Sequence, residues 1–280
     1  MRQVVMADHA GFCFGVKRAV DAIIDALEEG GPVWTIGLPI HNPQEVERLQ
    51  ARGLKVARDE ADVPPGARVL IRAHGESQAV LDALADKGVE VVNTTCPFVS
   101  RAQELAHSLS EEGYYIVLLG DKDHPEIRGI MGHVSGPLEV VADEAEAERI
   151  PRRAKMALIS QTTQREERLA SVAGILVRRA GELHVCNTIC RATVERQDSV
   201  RALAGKVDGV VLIGGRASAN TGKLRDIAGA NNMEVLWIEE ARELDRNQAW
   251  FEGKNTIGIA AGASTPEWLI KEISSKIASM

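Results

Sequence analysis

At 280 residues, with 45% apolar and 26% charged side chains, the chain has the length of about two ordinary domains and the makeup of a soluble globular protein. A formal net charge of −7 argues against a nucleic-acid partner, and no run of 18 apolar residues offers a membrane span. MRQVVMADHA lacks the apolar stretch of a signal peptide, so a cytoplasmic protein is expected; in that reducing compartment widely spaced cysteines are more often metal ligands or catalytic groups than disulfides.

Taken in order, the elements repeat. After Cys13 the apolar residues Val16, Val20, Ile23, Ile24 and Leu27 recur at helical spacing and stop at Gly30-Gly31. A short apolar strand (PVWTIG), a polar loop, a helix (PQEVERLQARG) and a second strand (ARVLIRAHGES) follow, and SQAVLDALADKG reads as another helix. After Cys96 the series begins again, with Val99, Ala102, Leu105, Ala106 and Leu109 on one helical face, then YYIVLLG, PEIRGIMGH and KMALISQTTQ. EVVADEAEAERIPRRAK reads as a charged, solvated connector. Cys190 opens the third round, with a weaker helix in CRATVERQDSVRALAGKVDG, then GVVLIGG, TGKLRDIAGA, TIGIAAGAST and TPEWLIKEISSKI. Strands alternating with helices imply parallel sheets, in which ligands bind beyond the carboxyl ends of the strands. The expected division is three α/β modules, 1–94, 95–189 and 190–280, packed about one shared site.

The register between modules singles out residues. Twenty-four positions after each of the three cysteines stands a glycine ending an apolar run: Gly37, Gly120 and Gly214. Four further on come His41, His124 and Ser218, and two beyond those Pro43, Glu126 and Asn220. A recurrence at three offsets in three modules marks Cys13, Cys96 and Cys190 as ligands of a common centre, whereas Cys186 has no counterpart and reads as a small buried hydrophobe. No C-x-x-C pair is present, so three single thiols suit a cubane iron–sulfur cluster with one open iron better than structural zinc, which takes four protein ligands. An open iron is a Lewis acid able to take a substrate hydroxyl.

His41, His74 and His124 follow strands and precede helices; the other arms bring Thr162-Thr163, Ser218, Asn220 and Ser264 to the same kind of loop. Such donors are ordinary helix caps, and capping and anion binding use one geometry. Together they suit a phosphate or diphosphate, with Lys223 the nearby cation. No Walker loop or G-x-G-x-x-G is present, and no flavin or nicotinamide site. Glu126 is the carboxylate in the central loops, where its counterparts are Pro43 and Asn220. Beside an anion and a cluster a carboxyl group can be held protonated and serve as general acid, with the Thr162 hydroxyl to relay a proton or orient substrate.

These strings, GFCFGVKRAV, IHNPQEVERL, RAHGE, NTTCPFV, DHPEIRGI, SQTTQ, NTICRATVERQ and AGASTPEWLI, resemble the 4-hydroxy-3-methylbut-2-enyl diphosphate reductase family over Cys13 to about Leu269. The resemblance implies a trefoil of three pseudo-threefold-related α/β modules, each with a small mainly parallel sheet, around one [4Fe-4S] cluster held by Cys13, Cys96 and Cys190. It implies diphosphate binding by His41, His74, His124, Ser218, Asn220 and Ser264, proton donation by Glu126, substrate contact by Thr162, and a ferredoxin or flavodoxin as electron donor. Its reaction is reductive dehydroxylation of the allylic diphosphate to isopentenyl and dimethylallyl diphosphate, the last step of the methylerythritol phosphate route. Ala219 stands where the family often has a second serine, which removes one side-chain donor. The alternative is a non-redox [4Fe-4S] dehydrating enzyme of the quinolinate synthase type, whose dicarboxylate ligand calls for pocket arginines. An iron–sulfur sensor needs a basic or partner-binding motif that the sequence does not display.

Overall fold

The computed structural model describes residues 2–280. The chain divides into two compact units, one of Met1–Arg18, Ile40–Arg52 and Arg191–Met280, the other of Ala19–Pro39 and Gly53–Cys190.

The second unit holds two sheets. One consists of β2 (Val33–Ile36), β3 (Lys55–Ala57), β4 (Arg68–Ile71) and β5 (Glu90–Asn93) in the order β3-β2-β4-β5, with α3 (Gln78–Asp86) joining β4 to β5. The other consists of β6 (Tyr115–Leu119), β7 (Leu138–Val141), β8 (Arg153–Ser160) and β9 (Ala180–Cys186) in the order β7-β6-β8-β9. Its helices are α4 (Pro97–Glu111), α5 (Pro125–Met131), α6 (Glu144–Ala147) and α7 (Glu166–Leu176). All pairings are parallel. Apart from the exposed Arg153, Ala154 and Lys155 that begin β8, the inner strands are mostly buried, so they read in sequence as continuous apolar runs. Their side chains meet helix faces, as Ile116, Leu118 and Ile159 do against Ala102, Ala106 and Ile127. Each such side chain taken from water contributes roughly 1.5–3 kcal/mol.

The first unit carries the third sheet, built from β1 (Gln3–Met6), β10 (Gly209–Ile213), β11 (Val235–Ile238) and β12 (Thr256–Ala261) in the order β1-β12-β10-β11, again all parallel. With it go α2 (Pro43–Ala51), α8 (Arg191–Arg201), α9 (Ala219–Ala230), α10 (Glu243–Arg246) and α11 (Glu267–Ser279); α1 (Phe14–Glu29) starts in this unit. Val211, Ile213, Ile257 and Ile259 pack with Phe251 and with Leu269, Ile273 and Ile277 of α11.

Written from its own first strand, each sheet has the same order: second, first, third, fourth. In the third sheet the fourth place is filled by β1, from the start of the chain, and Gln3–Met6 pair in register with Thr256–Ile259. Sequence alone does not show this strand, because its exposed–half-buried pattern carries no periodicity. A consequence is that every fourth strand, β5, β9 and β1, leads into a cysteine: Cys96, Cys190 and Cys13. In each sheet the direction of winding reverses between the first and third strands, and the polar loops follow those two strands. The stretch expected to be a solvated connector instead supplies β7, α6 and the start of β8, with Val141, Ala147 and Ile150 buried in the core.

Candidate active site

The cysteines share one backbone anchor. The N–H of Cys13 donates to the carbonyl of Ala263 (3.2 Å), that of Cys96 to Ala73 (3.0 Å) and that of Cys190 to Thr162 (3.0 Å). Each acceptor lies two residues past the third strand of its sheet, and in two cases it directly precedes a polar residue singled out from sequence, His74 or Ser264. Each cysteine also stands at a helix N-terminus: Cys13 before α1, Cys96 as the N-cap of α4, Cys190 before α8. Val16 N–H points to Cys13 Sγ at 3.5 Å. All three are unbridged and half-buried, whereas Cys186 is buried at the end of β9 and its thiol is pushed up by burial. Unbridged thiols at helix N-termini, where first-turn N–H groups can hydrogen-bond to sulfur, fit the ligand chemistry of an iron–sulfur centre.

In the second unit the predicted residues join in one chain of contacts. Glu126, in the first turn of α5, is 2% exposed; Thr162 is 6% and His124 7% exposed. The Thr162 N–H donates to Glu126 Oε1 at 2.6 Å and the Thr162 hydroxyl to Oε2 at 2.8 Å. His124 caps α5, its Nδ1 accepting from the Glu126 N–H at 3.1 Å, so His124 and Glu126 are set by one helix start. His74 meets His124 edge-on, with ring centroids 5.4 Å apart. Because a backbone N–H can only donate, a proton carried by Glu126 belongs on Oε2, facing the Thr162 hydroxyl.

In the first unit Ser218 caps α9, its hydroxyl accepting from the Thr221 N–H at 3.2 Å, while Asn220 and Ser264 are buried beyond the ends of β10 and β12. Asn220 Nδ2 has no hydrogen-bond partner among the described residues, which fits a donor awaiting an anionic ligand. The segment with His41 runs directly over Gly215: a Cβ there would stand 2.1 Å from the His41 carbonyl oxygen. The matching positions, Leu38 and Asp121, carry side chains. Gly215→Ala is therefore expected to lower the thermal unfolding midpoint, at an overpacking cost of roughly 1–3 kcal/mol.

The sequence model of the LytB protein family matches residues 4–278. The chain belongs to the LytB family. Among its LytB relatives is the 4-hydroxy-3-methylbut-2-enyl diphosphate reductase of Geobacter sulfurreducens, 44% identical over 275 residues that span 98% of this chain and 96% of the relative. The enzyme of the same name from Geobacter strain M21 is 43% identical over 278 residues, 99% and 98% of the two chains. A solved structure of (E)-4-hydroxy-3-methyl-but-2-enyl diphosphate reductase, described as the terminal enzyme of the non-mevalonate pathway, is 41% identical over the whole of both chains, with a TM-score of 0.72. The reductase of Plasmodium falciparum, 24% identical, superposes with a TM-score of 0.92 over 98% of this chain and 87% of its own, a likeness of fold.

Within this LytB chain some site supports escaped the sequence reading. Gln161 is buried beside Thr162 and its Oε1 accepts from the Asp121 N–H at 3.2 Å, tying the loop after β8 to the loop after β6. Arg72 and Glu76 flank His74 as an ion pair at 2.8 Å; burial pushes the Glu76 carboxyl up and Arg72 opposes it. Arg196 is buried and donates to the carbonyl of Gly11 at 2.7 Å, pinning the turn before Cys13. Each lies within or beside a quoted motif, but its role depends on a partner distant in sequence. No helix among the described residues is long and apolar enough to cross a membrane.

Proposed function

We propose that this chain is a 4-hydroxy-3-methylbut-2-enyl diphosphate reductase, converting the (E)-4-hydroxy allylic diphosphate to isopentenyl and dimethylallyl diphosphate as the last step of the methylerythritol phosphate route. The observation that carries this reading is identity of 44% with an enzyme of that name over nearly all of both chains. The dehydrating alternative of the quinolinate synthase type is not favoured, since a dicarboxylate calls for arginines where these loops offer His, Ser, Thr and Asn.

In this proposal Cys13, Cys96 and Cys190 hold one [4Fe-4S] cluster with one open iron. Bound there, the cluster supplies single electrons and a Lewis-acidic position for the substrate oxygen. The unbridged state of the three thiols and their common anchoring support the assignment. His41, His74, His124, Ser218, Asn220 and Ser264 bind the diphosphate through imidazole, hydroxyl and amide donors. Overall, two electrons and two protons exchange the C–O bond for C–H and release water. Glu126 gives the proton to the departing oxygen from Oε2, and the Thr162 hydroxyl, 2.8 Å away, orients that proton and the substrate. Burial of both groups keeps bulk water from the reacting carbon. A ferredoxin or flavodoxin delivers the electrons, and the cytoplasm is the place of action. The modules run 1–94, 95–189 and 190–280, the first lending β1 to the sheet of the third.

Anaerobically purified protein is expected to be brown and to form both products when supplied with the substrate and a reduced one-electron donor. Protein that carries its full iron and sulfide yet leaves the hydroxyl in place would refute the reductase reading.

A further inference from the structure

Helix α5 carries His124 at its N-cap and Glu126 in its first turn, and its far end meets the loop that holds His74. Two glycines make that contact. A Cβ at Gly132 would lie 2.2 Å from Ser77 Cβ and 2.9 Å from Ser77 Cα; one at Gly129 would lie 3.2 Å from Gln103 Nε2 and 3.4 Å from the His74 carbonyl oxygen. Neither glycine has a left-handed backbone, Gly132 having φ −69° at the C-cap. Glycine is among the poorest helix formers, so a seven-residue helix with one inside and one at its end is weakened without any backbone reason for them. The flat approach of the His74 loop supplies the reason.

The loop has no slack on its other side. Arg72 and Glu76 close it as a shielded ion pair and the Gly75 N–H donates to the Arg72 carbonyl at 2.9 Å, while on the α5 side His133, next to Gly132, hydrogen-bonds through Nε2 to the Glu76 carbonyl at 3.1 Å. Gly75 itself has φ +74°, and a Cβ there would come 2.5 Å from Gln103 Nε2. Added bulk on this face of α5 is therefore expected to press on the His74 loop and change the His74–His124 spacing.

We propose that the bare face of α5 at Gly129 and Gly132 is a positioning element for substrate: it lets the 74–77 loop lie on the helix and so fixes the His74–His124 spacing at which the diphosphate is held. This rests on the assignment of both histidines to the diphosphate. Glu126 stands in the first turn of the same helix, at the end away from Gly132.

The test is a cycle of holoenzyme variants: Gly132→Ala, Ser77→Gly and the double change. Ser77 is the N-cap of α3, its hydroxyl accepting from the Val80 N–H at 3.4 Å, and glycine is tolerated at an N-cap, so Ser77→Gly alone should cost little. Gly132→Ala should raise KM for the allylic diphosphate on the order of tenfold, with kcat and the visible spectrum of the anaerobic protein little changed. The double variant should recover part of that loss, because the 2.2 Å clash with the Ser77 Cβ is gone while the 2.9 Å approach to its Cα remains. Should Gly132→Ala fail to fold, Gly129→Ala, whose contacts are looser, gives a milder shift of the same sign. An unchanged KM in a folded Gly132→Ala or Gly129→Ala protein, or a loss that Ser77→Gly does not relieve, overturns the proposal. Binding of inorganic diphosphate, followed by calorimetry on the same proteins, gives the same comparison if the parent shows no reductase activity, so failure of the reductase reading is separable from failure of this one.

Discussion

Glu126→Gln is expected to lower kcat by about 10²–10⁴-fold while leaving substrate affinity and iron content near those of the parent. The geometry makes the substitution clean. The glutamine carbonyl can still accept from the Thr162 N–H, as Oε1 does at 2.6 Å, and its amide can donate to the Thr162 hydroxyl in place of the 2.8 Å contact at Oε2. The cap made by His124 Nδ1 uses the backbone N–H of residue 126 and does not depend on the side chain. Packing and hydrogen bonding are thus retained, and only the transferable proton is removed. Single-turnover kinetics on the anaerobic variant, with substrate binding measured separately, read this directly. A kcat within a few-fold of the parent would assign the proton to another group. A rise in KM with kcat unchanged would make Glu126 a binding residue instead.

What could be read from the sequence follows what each residue needs in order to be recognised. The inner strands were legible because a strand buried on both faces must be apolar throughout, as GVVLI in β10 is. The edge strands β3, β5, β7 and β11 were not, being three or four residues long and only partly buried. α8 gave a weak pattern because it buries Thr193, Arg196, Gln197 and Ser199 in place of an apolar stripe. The candidate site was legible for a different reason: Cys13, Cys96 and Cys190, with the loop positions behind them, recur in register, and register survives without any knowledge of contacts. Gly129, Gly132, Arg72 and Glu76 were not legible as a set, because a glycine seat has meaning only beside the chain that lies on it. Gly132 and Ser77 are far apart in sequence, and no local propensity links them.

The cysteines offer the sharpest separation of ligand from core residue, since two of them stand four positions apart. Cys13→Ser, Cys96→Ser and Cys190→Ser are each expected to lose most bound iron and sulfide, and with them turnover, whereas Cys186→Ser keeps both. Cys186 closes β9, pairs with Ile159 in the ladder and packs with Ala157, Ile159 and Ile116. Burial raises its thiol pKa, so it stays protonated and is a poor ligand. A serine there buries a hydroxyl among apolar groups, at a cost of roughly 1–3 kcal/mol, so the expected signature is a lower unfolding midpoint with the iron intact. Cys190 lies beyond the strand, half-buried, its N–H held by the Thr162 carbonyl, and serine there preserves that backbone bond while removing the sulfur. Its expected signature is the reverse: lost iron. Iron and sulfide analysis beside thermal unfolding resolves the two. If Cys186→Ser loses its iron while Cys190→Ser keeps it, the register between modules has pointed to the wrong thiol, and the ligand set becomes Cys13, Cys96 and Cys186.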